Sequence, residues 1–206
     1  MLSDAMKAER VRISWELLER FEKEGEDFLK KIITGDETWV HHYDPENKRQ
    51  SMEYRLKESP QPKKFKTLAS AGKVMLTVFW NSERVVLADV LEKETIINSQ
   101  RYIETLTALK RRIERIGIRN DTLLQHDNAR PHTSAATRDA IQRLDFSVLP
   151  HPPYIPDLAP SDFHLFRKLK EHLKGQHFSC DEEVKSAVRK CFQKQNTNFL
   201  RANFKN

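Results

Sequence analysis

Thr122-Leu123-Leu124-Gln125-His126-Asp127-Asn128-Ala129-Arg130-Pro131-His132 is the stretch on which the reading of the fold turns. Thr122 to His126 is short and mostly apolar, as a buried strand is, and Asp127 follows at its carboxyl end. A helix is expected after it, from about Thr133 to Leu144. Strand, acid, helix is the order found in α/β sheets, whose ligand sites gather beyond the carboxyl ends of the strands.

Working outward toward the amino terminus, Lys73 to Trp80 is a continuous apolar run and predicts a buried strand, with a second strand over Arg84 to Leu91. Asn98 or Ser99 then caps a helix with Tyr102, Ile103, Leu106, Leu109, Ile113 and Ile116 on one face. Its other face carries Arg101, Lys110, Arg111, Arg112 and Arg115, a wet side that is also a candidate for tracking phosphates. Lys31 to Tyr43 is rich in β-branched and aromatic residues and reads as a strand, and Arg49 to Leu56 is a further strand candidate. Trp39 and Trp80 are assigned to the core. Before them, Ala5 to about Glu24 is helical, with Val11, Trp15, Leu18 and Phe21 at steps of three or four.

Toward the carboxyl terminus, Phe146 to Leu149 is the last strand candidate, followed by a proline-rich connector. Ser161 opens a helix bearing Leu165, Phe166, Leu169 and Leu173, which Gly175 stops. A capping box from Ser179 to Glu182 begins a final helix that buries Val184, Ala187, Val188, Cys191 and Phe192. This order predicts an α/β domain, a mixed sheet flanked by helices, over 31–206 behind a helical linker segment at 1–30.

Composition sets looser bounds. The 206 residues carry 36 Lys and Arg against 30 acids, a net charge of +6 that suits a polyanionic partner. No apolar run approaches a membrane span and no signal peptide opens the chain. Cys180 and Cys191 lie eleven residues apart on a helical pattern, which favours a reduced, intracellular protein.

Three aspartates stand where such a sheet brings side chains together. Asp36 shares a strand face with Ile32, Thr38 and Val40, Asp127 ends its strand, and Asp162 sits in a first helical turn, three and four residues before Leu165 and Phe166, pointing toward the sheet. Convergent carboxylates suit Mg²⁺ or Mn²⁺ and two-metal phosphoryl transfer. Taken singly, each also has an ordinary use as a helix-dipole partner or turn former.

The surrounding motifs decide between these uses. His126 to His132, and His151-Pro152-Pro153-Tyr154-Ile155-Pro156-Asp157-Leu158-Ala159-Pro160-Ser161-Asp162-Phe163-His164-Leu165-Phe166, closely resemble two signature segments of mariner transposases. Thr34-Gly35-Asp36-Glu37-Thr38-Trp39-Val40 resembles a third, and 34 residues separate Asp127 from Asp162, as in that family. Ile155 and Arg167 depart from residues common there. The resemblance implies an RNase H-like fold with Asp36, Asp127 and Asp162 as catalytic residues and metal ligands for two Mg²⁺ or Mn²⁺ ions. It implies nicking at transposon ends, 3′-hydroxyl attack on target DNA at a TA dinucleotide, a homodimer, and work in the nucleus. A domesticated, non-transposing DNA-binding or repair module is the alternative. No helix-turn-helix pair is recognisable, so reading of a specific end sequence is not expected of these residues. Lys63, Lys64 and Lys66, in an inserted basic loop at about 57–72, are candidate DNA contacts, as are Asn128, Arg130 and His132.

Overall fold

The computed structural model describes residues 3–46, 68–91, 96–118, 121–152 and 159–193. Two helices, α1 (Asp4–Glu24) and α2 (Glu26–Lys31), lead into the ten-residue strand β1 (Ile32–His41). Strands β2 (Lys73–Trp80) and β3 (Val85–Leu91) follow, then helix α3 (Ser99–Ile116) and strand β4 (Leu123–Gln125). Helices α4 (Arg130–Thr133) and α5 (Ala135–Arg143) come next, then the short strand β5 (Ser147–Val148). A π-helical turn over Ser161–Phe166 runs straight into α6 (Arg167–Leu173), and α7 (Asp181–Gln193) ends the described chain.

The strands form one mixed sheet in the order β3-β2-β1-β4-β5. β1 pairs antiparallel with β2 and parallel with β4, so the central strand joins a meander to a crossover half. The two-residue period of β1 divides its side chains between two cores. On one face Val40 joins Val74, Leu76, Val78 and Trp80 beneath Leu165, Phe166, Leu169, Val184 and Val188. On the other, Ile33 joins Phe79, Val86 and Leu124 beneath Tyr102, Leu106, Leu109 and Ile113. The result is helix, sheet, helix: the expected α/β domain. Gly35 is required on that second face, because a Cβ there would overlap the Phe79 ring opposite it.

Helix α3 starts where expected, with the Asn98 side chain accepting from the Arg101 amide, and stops at Gly117 in the left-handed region (φ 69°). Its basic face is partly committed to the fold: Arg101 pairs with Asp89 at 2.7 Å, and Arg112 donates to the Val86 carbonyl.

Several expectations need correction. Trp39 is not in the core: burial on its face fades from Ile33 through Glu37, and its ring is 42% exposed with the Lys73 ammonium 4.1 Å above it. The helix expected over residues 133–144 breaks at Ser134, whose hydroxyl accepts from the Thr137 amide and restarts it as α5. The segment beginning at Ser161 is π-helical for its first six residues rather than α-helical. At the start of α7, Glu183, not Glu182, reaches back to the Ser179 amide (2.7 Å), while Glu182 pairs with Lys185. The strand candidate from Arg49 to Leu56, and Lys63, Lys64 and Lys66, lie outside the described residues.

Candidate active site

Register places the first two carboxylates. β1 and β4 run parallel with Ile32 opposite Leu123 and Thr34 opposite Gln125. β4 ends at Gln125, two residues before Asp127, so the chain leaves the sheet there two residues short of the level of Asp36 on β1. Asp162 arrives from a different direction, on the π-helical turn that covers the Asp36 face of the sheet. That turn is anchored by a buried hydrogen bond in which the Trp80 indole N–H donates to Ser161 Oγ at 2.9 Å.

The charges of the three act on one another. Burial, reinforced by Asp162 and then by Glu37 and Asp127, raises the Asp36 carboxyl to about 7, against the pull of the Glu37 amide that donates to it at 2.7 Å. Partial desolvation also raises Asp162; Asp127 adds to this and Lys170 opposes it. Asp127 shifts the other way, lowered chiefly by its hydrogen bond with His132. The three aspartates are not equivalent, however. Among the described residues no three His, Cys, Asp or Glu side chains are arranged to hold one ion. Asp162 is exposed, on the π-helical turn, and its charge reaches Asp36.

Asp127 is held by its own loop. One carboxylate oxygen accepts from the Ala129 amide (3.0 Å) and from His132 Nδ1 (2.6 Å). The other ring nitrogen of His132 lies 3.4 Å from Glu37 Oε1. Burial alone would depress His132, but hydrogen bonds to Asp127 and Glu37 outweigh it and lift the group to about 9. His132 is only 3% exposed, so its candidacy as a DNA contact fails: both ring nitrogens face carboxylates and no surface is left for a phosphate.

Behind His132 lies an aromatic stack. The Tyr102 ring sits 4.0 Å from His132, and the Tyr102 hydroxyl is 2.8 Å from Nδ1 of His126. Burial and the neighbouring His132 lower His126 to about 4, so the imidazole that shares this hydrogen bond is neutral. Asn128 and Arg130 are exposed beside Asp127, and the Asn128 amide donates to the His151 carbonyl at 2.7 Å.

Sequence reading missed Glu37 and Tyr102 as members of this site. A signal existed for each: Glu37 is an acid on the strand face that otherwise carries Ile33 and Gly35, and a buried tyrosine hydroxyl calls for a partner.

The donor set fits divalent cations. Carboxylate oxygens are the ligands such ions prefer, and Asp36, raised first by burial and then by the charge of Asp162, carries a penalty that positive charge would relieve.

Comparison with known proteins agrees with this geometry. Residues 44–121 match a family described as Transposase (partial DDE domain). The chain is 33% identical over 190 residues to the Mariner Mos1 transposase of Drosophila mauritiana, covering 89% of this chain and 53% of that protein. It is 32% identical over 203 residues to the histone-lysine N-methyltransferase SETMAR of Homo sapiens, covering 96% of this chain and 29% of that one. It thus spans about half or less of the length of either relative. Among solved structures, a Mos1 paired-end complex with the left transposon end superposes with a TM-score of 0.88 at 32% identity, over all of this chain and 60% of that one. The Mos1 catalytic domain superposes with a TM-score of 0.80 at 29% identity, over all of this chain and 89% of that one.

Proposed function

The chain belongs to the mariner transposase family, and from that premise we propose that it is the metal-dependent core that nicks DNA at transposon ends and joins the freed 3′-hydroxyl to target DNA. The observation that carries the proposal is that Asp36 in the central strand is raised to about 7 by burial and then by the charge of Asp162, Glu37 and Asp127 around it. The solved Mos1 relatives include complexes with Mn and with Mg. Asp36, Asp127 and Asp162 would hold two such ions here, and the ions would activate the attacking oxygen and stabilise the leaving one.

The chain's own residues do the rest. Asp36, rigid in the central strand, fixes one edge of the site. Asp127 is kept ionised by His132 and by the Ala129 amide, so it presents a charged oxygen without first losing a proton. Asp162 closes the mouth from the π-helical turn, and exposed Asn128 and Arg130 are placed to touch the DNA backbone. A homodimer holding two transposon ends, acting at TA targets in the nucleus, completes the reading. Lys63, Lys64 and Lys66 supply basic charge to the DNA in this scheme.

The deciding experiment is a nicking and strand-transfer assay with Mn²⁺ on double-stranded DNA carrying a transposon end. Nicks that vanish with Asp127→Ala support the transposase. DNA binding without cleavage in the unaltered chain would instead support a domesticated module.

A further inference from the structure

Glu37 and His132 are more than packing. We propose that they form a positioning pair, Glu37–His132, that fixes which way the Asp127 carboxylate faces and so sets how tightly the site takes a divalent cation. The inference rests on the reading of Asp127 as a metal ligand.

Four observations support it. Neighbouring residues of β1 point to opposite faces, so Asp36 looks toward the π-helical turn while Glu37 looks toward α4, where His132 sits. The chain therefore places two adjacent acids on two different tasks. His132 is buried, and each of its ring nitrogens meets a carboxylate: Nδ1 with Asp127 Oδ1 at 2.6 Å and Nε2 with Glu37 Oε1 at 3.4 Å. The Tyr102 ring packs against the His132 ring, tilted by 34° with centroids 4.0 Å apart, and Tyr102 is itself tied to His126 at 2.8 Å. Finally, His132 and the Ala129 amide both engage Oδ1 of Asp127, which orients the other oxygen away from the loop.

A carboxylate held on one oxygen loses rotational freedom before it meets an ion, and outer partners of this kind typically change metal affinity by about 10–100-fold when removed. The pair differs from a simple salt bridge in that Glu37 acts only through His132. That difference can be measured.

The probe is Mn²⁺ alone, titrated calorimetrically into the full chain, with folding checked by circular dichroism. His132→Phe keeps the ring stack and removes both nitrogens, and should weaken Mn²⁺ binding about tenfold or more. His132→Asn restores a donor near the Nδ1 position and should recover most of that loss. Glu37→Gln, mild enough to fold, should weaken binding in the unaltered chain but add nothing in the His132→Phe background, since a shared path makes the two changes non-additive. Unchanged affinity in Glu37→Gln, or full additivity of the two changes, overturns the proposal. Asp127→Ala separates this outcome from failure of the parent reading. If the unaltered chain binds Mn²⁺ no better than Asp127→Ala, Asp127 is not a ligand and both ideas fall. If Asp127→Ala alone abolishes binding, the site stands and the positioning pair is wrong.

Discussion

At the scale of single residues, the site is a place where the fold tolerates an electrostatic penalty. Asp36 ionises near pH 7 when folded and near 3.8 when unfolded, so the folded state holds its proton more tightly. Stability from this group is therefore greatest in acid and is lost as pH climbs from about 4 through about 7. His132 has a raised value too, about 9 against 6.5, so its contribution is present below the unfolded value and is lost as pH rises through about 9. In metal-free chain the melting temperature should fall from about pH 5 to about 7, and Asp36→Asn should flatten that limb while leaving the decline above it. Scanning calorimetry in a chelator checks this; an unchanged slope in Asp36→Asn would show that the acid is not strained. The three aspartates could be proposed from sequence because each lies inside a long motif. Their supporting residues were not, because Glu37 and His132 meet across 95 positions of chain and nothing local marks the pairing.

At the scale of elements, the strands at the centre of the sheet and the long helix α3 were readable from periodicity alone, since burial on a sheet or helix face leaves an apolar pattern. What escaped was local hydrogen-bond geometry. Ser134 splits one expected helix into two, and the segment bearing Asp162 takes a π turn, a form that differs from an α-helix only in which carbonyl each amide reaches. The Trp80–Ser161 hydrogen bond secures that turn to β2, with both residues fully buried. Ser161→Ala leaves the indole N–H without this acceptor and should cost about 1–3 kcal/mol. Because Asp162 is the next residue, the same change should impair cleavage more than an equally destabilising change elsewhere. Urea denaturation beside a nicking assay measures both, and a loss of stability with fully retained cleavage would show that the anchor does not position Asp162.

At the scale of the whole molecule, the question is where the catalytic domain begins. Sequence reading placed residues 1–30 in a linker, yet Phe28 is 2% exposed and clusters with Ile32, Leu123 and Leu149, under Leu17 and Phe21 from α1. Lys31 bridges Glu24 and Asp121, tying the end of α1 to the approach of β4. The inner side of α1 is thus part of the core, while Val11, Trp15 and Leu18 remain exposed on its outer side. The apolar spacing was a true helix signal, and the buried side runs through Ile13, Leu17 and Phe21. The two faces should respond differently to truncation. Phe28→Ala removes a buried ring and should cost about 3–5 kcal/mol. Trp15→Ala, on the open side, should shift stability by no more than about 0.5 kcal/mol. A single cooperative urea transition in both variants, displaced only by the Phe28 change, would mean that α2 and the inner face of α1 fold with the sheet. A separate early transition for the amino-terminal helices, or an equal displacement by both changes, would mean that they form an independent segment as the linker boundary supposed.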